Sequence, residues 1–258
     1  MKLLLINPNT TAAITDLVLA EAGKAAAPGT EVRAVTGRFG ARYIASRASY
    51  VIAGHAALDA YAEHGTDADA VVLACFGDPG LHALREMAHQ PVVGMAEAAC
   101  RAAVAEPGRF AIVTGGERWG PMLREFVAGL GLAGRLAAVE TVAPSGADIA
   151  SDPGPALDVL AEACRTCVEK HGASRVILGG AGLAGITPRL AGRVPAPLID
   201  GLAVAVRAAE RLAAEPPARP QSGDPTPTPS IESTGLSAAL TSRLAGERGA
   251  ALGPDDRC

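Results

Sequence analysis

Aromatic side chains are scarce in this chain: four Phe, three Tyr and one Trp, 3% of 258 residues. A core with so few rings must be assembled from aliphatic and small side chains, and alanine supplies much of the 49% apolar content. That composition favours helices pressed closely on a sheet. No apolar run reaches the roughly 18 residues of a membrane span. The opening apolar run is too short for a signal peptide, because Asn7-Pro8-Asn9 ends it at once. Net charge is −4 and the basic residues are scattered, with neither a basic patch nor an aromatic platform for nucleic acid. There is no GxxxxGK(S/T), which excludes a phosphate-loop ATPase, and no GxSxG. None of the five histidines (His55, His64, His82, His89, His171) pairs with another at metal-ligand spacing, so no metal is expected.

Cysteine is present but uneven: Cys75, Cys100, Cys164, Cys167 and Cys258. An odd count without a secretion signal points to a reducing cytoplasm. Cys164-Arg-Thr-Cys167 has CxxC spacing, yet it falls inside a helical stretch with no second Cys pair or His cluster. It reads as two buried helix-face thiols, and Cys100 reads the same way.

Strand and helix signals alternate along the chain. Strands are expected at 2–6, 31–35, 71–74, 91–94, 109–114, 137–142, 175–178 and 198–200. Helices are expected at 11–26, 46–64, 80–89, 97–105, 118–130, 155–171 and 201–214. Such alternation implies an α/β fold with parallel sheets covered by helices. The series also repeats. Asn7 and Cys75 are 68 residues apart, and Thr114 and Gly180 are 66 apart. From Cys75 to Pro91 is 16 residues, and from Gly180 to Pro197 is 17. Two similar lobes related by a pseudo-twofold axis follow, each a parallel sheet flanked by helices. The expected division is an N-terminal lobe over 1–96, completed by helix 201–214, and a C-terminal lobe over 97–200. Residues 215–258 begin with a proline-rich linker and read as a mostly disordered tail.

In this arrangement four strand ends, at Asn7, Cys75, Thr114 and Gly180, face one cleft, where α/β proteins bind ligands. Asn9 and Thr10 open a helix, where amides, hydroxyls and free N–H groups suit a carboxylate or carbonyl, or simply cap the helix. Cys75 stands at the end of an apolar strand before Phe76 and Gly77. It is either a buried core thiol or a reactive one, and a nearby helix N-terminus would lower its pKa. Thr114-Gly115-Gly116 allows close backbone approach to a ligand, and Gly179-Gly180-Ala181-Gly182 can act as an anion-binding nest. Asp78 could orient a substrate or form an ordinary Asp-Pro-Gly turn.

Three segments in order resemble the Asp/Glu/hydantoin racemase family, nearest to its hydantoin and allantoin racemase branch. They are Ile6-Asn7-Pro8-Asn9-Thr10, Ala74-Cys75-Phe76-Gly77-Asp78-Pro79-Gly80-Leu81 and Pro91-Val92-Val93-Gly94-Met95-Ala96-Glu97-Ala98. Arg42-Tyr43-Ile44-Ala45-Ser46-Arg47 is also similar to that branch. The resemblance spans about residues 1–214. It implies the two-lobed fold and racemisation without a cofactor, by two cysteines on opposite faces of a carbon next to a carbonyl. Cys75 matches the first cysteine. The second belongs in Leu-Gly-Cys-Ala-Gly, which here reads Leu178-Gly179-Gly180-Ala181-Gly182.

Three expectations stay open on this departure. One is a racemase of a 5-substituted hydantoin or allantoin-like ureide, with water or another group serving the second face. The second is a one-thiol decarboxylase or isomerase of the same superfamily. The third is a small-ligand binder without catalysis. In each, Cys75 is the catalytic or former catalytic residue, and Asn9, Thr10, Phe76, Gly77, Thr114, Gly115, Gly116, Gly180 and Ala181 contact the substrate. The expected partner is a small molecule, not nucleic acid or membrane, and a homo-oligomer is the base-rate expectation.

Overall fold

The computed structural model describes residues 1–215 and 232–246. The first half runs β1 (Lys2–Asn7), α1 (Ala12–Ala25), β2 (Glu31–Thr36), α2 (Arg47–His64), β3 (Ala70–Leu73), α3 (Leu81–Met87), β4 (Val92–Gly94) and α4 (Met95–Val104). The second runs β5 (Phe110–Gly115), α5 (Trp119–Gly129), β6 (Leu136–Val142), α6 (Gly146–Ser151), α7 (Pro153–Glu169), β7 (Arg175–Gly179), β8 (Leu198–Asp200) and α8 (Gly201–Ala214). Each half forms a four-stranded, wholly parallel sheet, in the orders β2-β1-β3-β4 and β6-β5-β7-β8. The repeated spacing is therefore a repeated topology. Leu3 to Ile6 and Ala70 to Leu73 are fully buried, as central parallel strands covered on both faces require.

The two sheets share their packing. The helix that follows the last strand of each sheet lies against the other sheet: α4 packs on β7, and α8 packs on β3 and β4. The two helices also pack on one another through small residues such as Ala99, Cys100, Ala103, Ala205 and Ala209, all fully buried. One apolar cluster consequently joins Leu3, Leu5 and Val72 of the first sheet to Phe110, Ile112 and Ile177 of the second. Cys164 and Cys167 lie fully buried on α7 in a separate cluster, and burial pushes both thiols up to about 12, in line with the reading as packed helix thiols.

Two features differ from the sequence expectation. Helix α6 was not foreseen, although Ser145 and Asp148 form a capping box that marks its start. Within the stretch expected as disordered tail, Ala238–Leu244 forms helix α9. Leu240 is buried against α2, and the Arg243 guanidinium lies 5.2 Å from the centre of the Tyr61 ring while bonding Thr66. So short a helix owes its existence to this packing, not to intrinsic propensity. The proline-rich linker over 216–231 and the last residues over 247–258, Cys258 included, lie outside the described residues.

Candidate active site

Each of the four strand ends contributes to a cleft of about 500 Å³ between the lobes. After β1, the buried Asn7 amide donates to Asn9 Oδ1 (3.1 Å) and Thr15 Oγ1 (3.0 Å). Asn9 Oδ1 also accepts from the Thr11 N–H at 2.8 Å. With its oxygen held twice, Asn9 leaves its amide NH2 as the free donor at the cleft wall.

Cys75 ends the segment after β3 and is only 7% exposed, with its exposed edge in the cleft. Its loop is clamped from α2. Tyr50 donates to the Gly77 carbonyl at 2.6 Å, and Gly54 of α2 meets Gly80 backbone to backbone. A Cβ on Gly80 would stand 2.9 Å from the Gly54 Cα, so Gly80 does not tolerate a side chain, and one on Gly54 would press within 3.3 Å of the Gly80 N.

Asp78 does not face the cleft as a substrate ligand. Its carboxylate accepts from the Ala96 and Glu97 N–H groups at 2.9 and 2.7 Å, and so caps α4. This settles the electrostatics of Cys75. The expected lowering of its pKa by a helix N-terminus does not occur, because the end of α4 is already met by a carboxylate. Burial pushes the Cys75 thiol up, and Asp78 adds to the rise. Asp78 itself is raised by burial to about 7, against the two N–H bonds that favour its charge.

A prediction follows for Asp78→Ala. The native state holds the Asp78 proton more firmly than the unfolded chain between roughly pH 4 and 7. Wild-type stability from this group therefore falls as pH rises through that window. Loss of the cap should cost about 1–3 kcal/mol at pH 5 and less at pH 8, measured by urea unfolding. An equal cost at both pH values would contradict the assignment.

On the opposite side, Thr114 is the next-to-last residue of β5 and is 4% exposed. Its hydroxyl reaches the cleft and has no hydrogen-bond partner among the described residues. Gly180 follows β7 with φ of +142°, a conformation that side chains rarely adopt. A Cβ there would lie 3.2 Å from Leu183 Cδ1 and 3.8 Å from Thr114 Oγ1. Gly180 is thus a recess formed by the backbone as well as a position lacking a side chain.

Of the residues expected at the site, Asn9, Cys75, Phe76, Thr114, Gly115, Gly180 and Ala181 line the cleft. Thr10, Gly77 and Gly116 do not. Thr10 bonds back to the Ala41 carbonyl, Gly77 turns its carbonyl to Tyr50, and Gly116 backs onto the Tyr43 hydroxyl. The sequence reading missed the strap Arg42, Tyr43 and Ile44, together with Ile14, Trp119, Gly146, Ala147 and Gly182. Tyr43 ties the lobes together. Its hydroxyl donates to the Gly115 carbonyl at 3.0 Å. Arg47 of α2 pairs with Glu125 of α5, a second link between the two halves. Among the described residues there is no group of side chains suited to hold a metal ion, and no helix is long and apolar enough to cross a membrane.

Two parallel sheets of one topology, meeting at a cleft whose wall carries one thiol among the described residues, define a two-lobed α/β protein with a ligand-sized cleft at its strand ends. The sequence profile described as Asp/Glu/Hydantoin racemase matches residues 3–209. The chain belongs to that family. It is 34% identical over 216 residues to the hydantoin racemase of Paenarthrobacter aurescens, covering 83% of this chain and 92% of that one. The structure of allantoin racemase from Klebsiella pneumoniae superposes with a TM-score of 0.79 at 31% identity, covering 99% of this chain and 97% of that one. Allantoin racemase from Pseudomonas fluorescens gives 0.78 at 28% identity, covering 86% and 100%.

Proposed function

We propose that the protein racemises a 5-substituted hydantoin or allantoin-like ureide by proton transfer at the carbon next to the ring carbonyl, with Cys75 as the transferring group. The observation that carries this reading is the placement of Cys75, the single thiol on the cleft wall among the described residues, in one cleft with Asn9, Thr114 and Gly180. The Cys75 thiolate removes the acidic C–H proton. The negative charge passes to the carbonyl oxygen, which the free Asn9 amide and the strand-end N–H groups are placed to receive. A neutral cyclic ureide suits a cleft whose wall is mostly apolar and glycine-rich. The similarity to hydantoin and allantoin racemases supports the substrate class. Each step uses protein groups and solvent, with no cofactor.

The test is incubation of each enantiomer of several hydantoins and of allantoin in D2O, following α-proton exchange by NMR and optical rotation together, with buffer as background. Enzyme-dependent exchange with loss of rotation is the expected result. Exchange with rotation retained would indicate one-face chemistry instead. Absence of enzyme-dependent exchange across the panel would overturn the proposal in favour of a binding role.

A further inference from the structure

Racemisation requires a proton to leave one face of the carbon and arrive on the other, and Cys75 can serve only one face. The residues lining the far side offer few alternatives. The Tyr43 hydroxyl proton is already committed to the Gly115 carbonyl. Arg42 sits exposed at the mouth, and a guanidinium does not give up its proton in proteins. Gly180 has no side chain. Thr114 remains: its hydroxyl opens onto the cleft without a partner among the described residues, beside the recess over Gly180.

A hydroxyl without a protein partner that opens onto a cavity is suited to a ligand or a solvent molecule. We propose that Thr114 positions the second-face proton carrier: its hydroxyl holds a water molecule in the recess over Gly180, and that water exchanges the proton that Cys75 does not reach. The inference rests on the reading of Cys75 as the first-face group.

The step balances as follows. From one enantiomer, the Cys75 thiolate takes the proton and the C–H electron pair enters the enolate. The enolate carbon then takes a proton from the water on the other face, leaving hydroxide. The thiol proton, released to solvent, neutralises that hydroxide, and thiolate and water are restored. From the other enantiomer the same path runs backwards, with hydroxide as base and the Cys75 thiol as acid. The water is neutral in one direction and charged in the other, so a hydroxyl that both donates and accepts suits its anchor better than a cation or a carboxylate.

The experiment compares Thr114→Val, Thr114→Ser and wild type in the D2O assay, starting from each pure enantiomer, with thermal melts to confirm folding. Valine keeps the shape of threonine and removes the hydroxyl. The expected Thr114→Val result is asymmetric: the enantiomer presented to Cys75 still exchanges and keeps its configuration, while the other exchanges hardly at all. Inversion should fall by about a hundredfold or more relative to exchange, the range of a positioned proton carrier. Thr114→Ser should restore inversion. Equal loss of exchange for both enantiomers in Thr114→Val would mark a substrate-binding or structural role and overturn the inference. So would inversion that keeps pace with exchange. If the wild type exchanges one enantiomer without inverting it, this inference fails while the Cys75 reading stands. Absence of exchange in the wild type defeats both.

Discussion

Cys75→Ser protein is expected to fold normally and to lose α-proton exchange by about a thousandfold, within the range assigned to a positioned acid or base. The side chain is nearly enclosed and the substitution replaces one atom, so the clamp from Tyr50 and the Gly54–Gly80 contact should survive. A serine hydroxyl in the same apolar setting has no usable anionic form near neutral pH, so the base is lost while the cleft is kept. Thermal melting within a few degrees of wild type, together with exchange no faster than buffer, would bear this out. A folded variant with more than a tenth of wild-type exchange would move the chemistry elsewhere in the cleft. Cys100→Ser is the natural control, because Cys100 is fully buried away from the cleft, in the α4–α8 packing.

The pH profile should be equally pronounced. Burial and Asp78 both hold the thiol in its neutral form, so only a small fraction is thiolate at pH 7. Below its pKa that fraction grows tenfold for each pH unit. Exchange corrected for buffer should therefore climb by about a hundredfold between pH 7 and pH 9, with slope near one and no plateau. Asp78, raised to about 7, ionises at the start of this range and adds to the rise in the thiol pKa, so the climb should be slightly shallower there. A plateau between pH 7 and 8 would mean an activated thiolate and would refute the electrostatic account. Wild-type enzyme with saturating hydantoin in a constant-ionic-strength buffer series gives the measurement.

How much of this could be read from residues alone depended on how far apart the interacting groups lie in the chain. The central strands were legible because Leu3 to Ile6 and Val71 to Leu73 are unbroken apolar runs, the mark of a strand buried on both faces. The doubled topology was legible because strand-end spacing is a one-dimensional quantity. Cys75, Thr114 and Gly180 could be placed at the cleft for the same reason, as they simply follow strands. Tyr43 could not, because its importance lies in a bond to Gly115, 72 residues away. The direction of the Cys75 pKa was misread for a related reason. It depended on where Asp78 turned, and only the fold shows its carboxylate on α4 instead of in the cleft. Helix α9 was read as tail because so short a segment becomes a helix only when α2 is there to receive Leu240.

The exchange of helices between the halves has a bearing on how the molecule comes apart. Each sheet is finished by a helix whose preceding strand belongs to the other sheet. A cut between α4 and β5, near residue 107, would leave β3 without α8 in the first fragment and β7 without α4 in the second. Neither fragment is a self-sufficient folding unit, despite the internal duplication. Unfolding should accordingly run as one cooperative event instead of two, and the cleft cannot open widely by swinging one lobe away, because the shared helices are the hinge and the core at once.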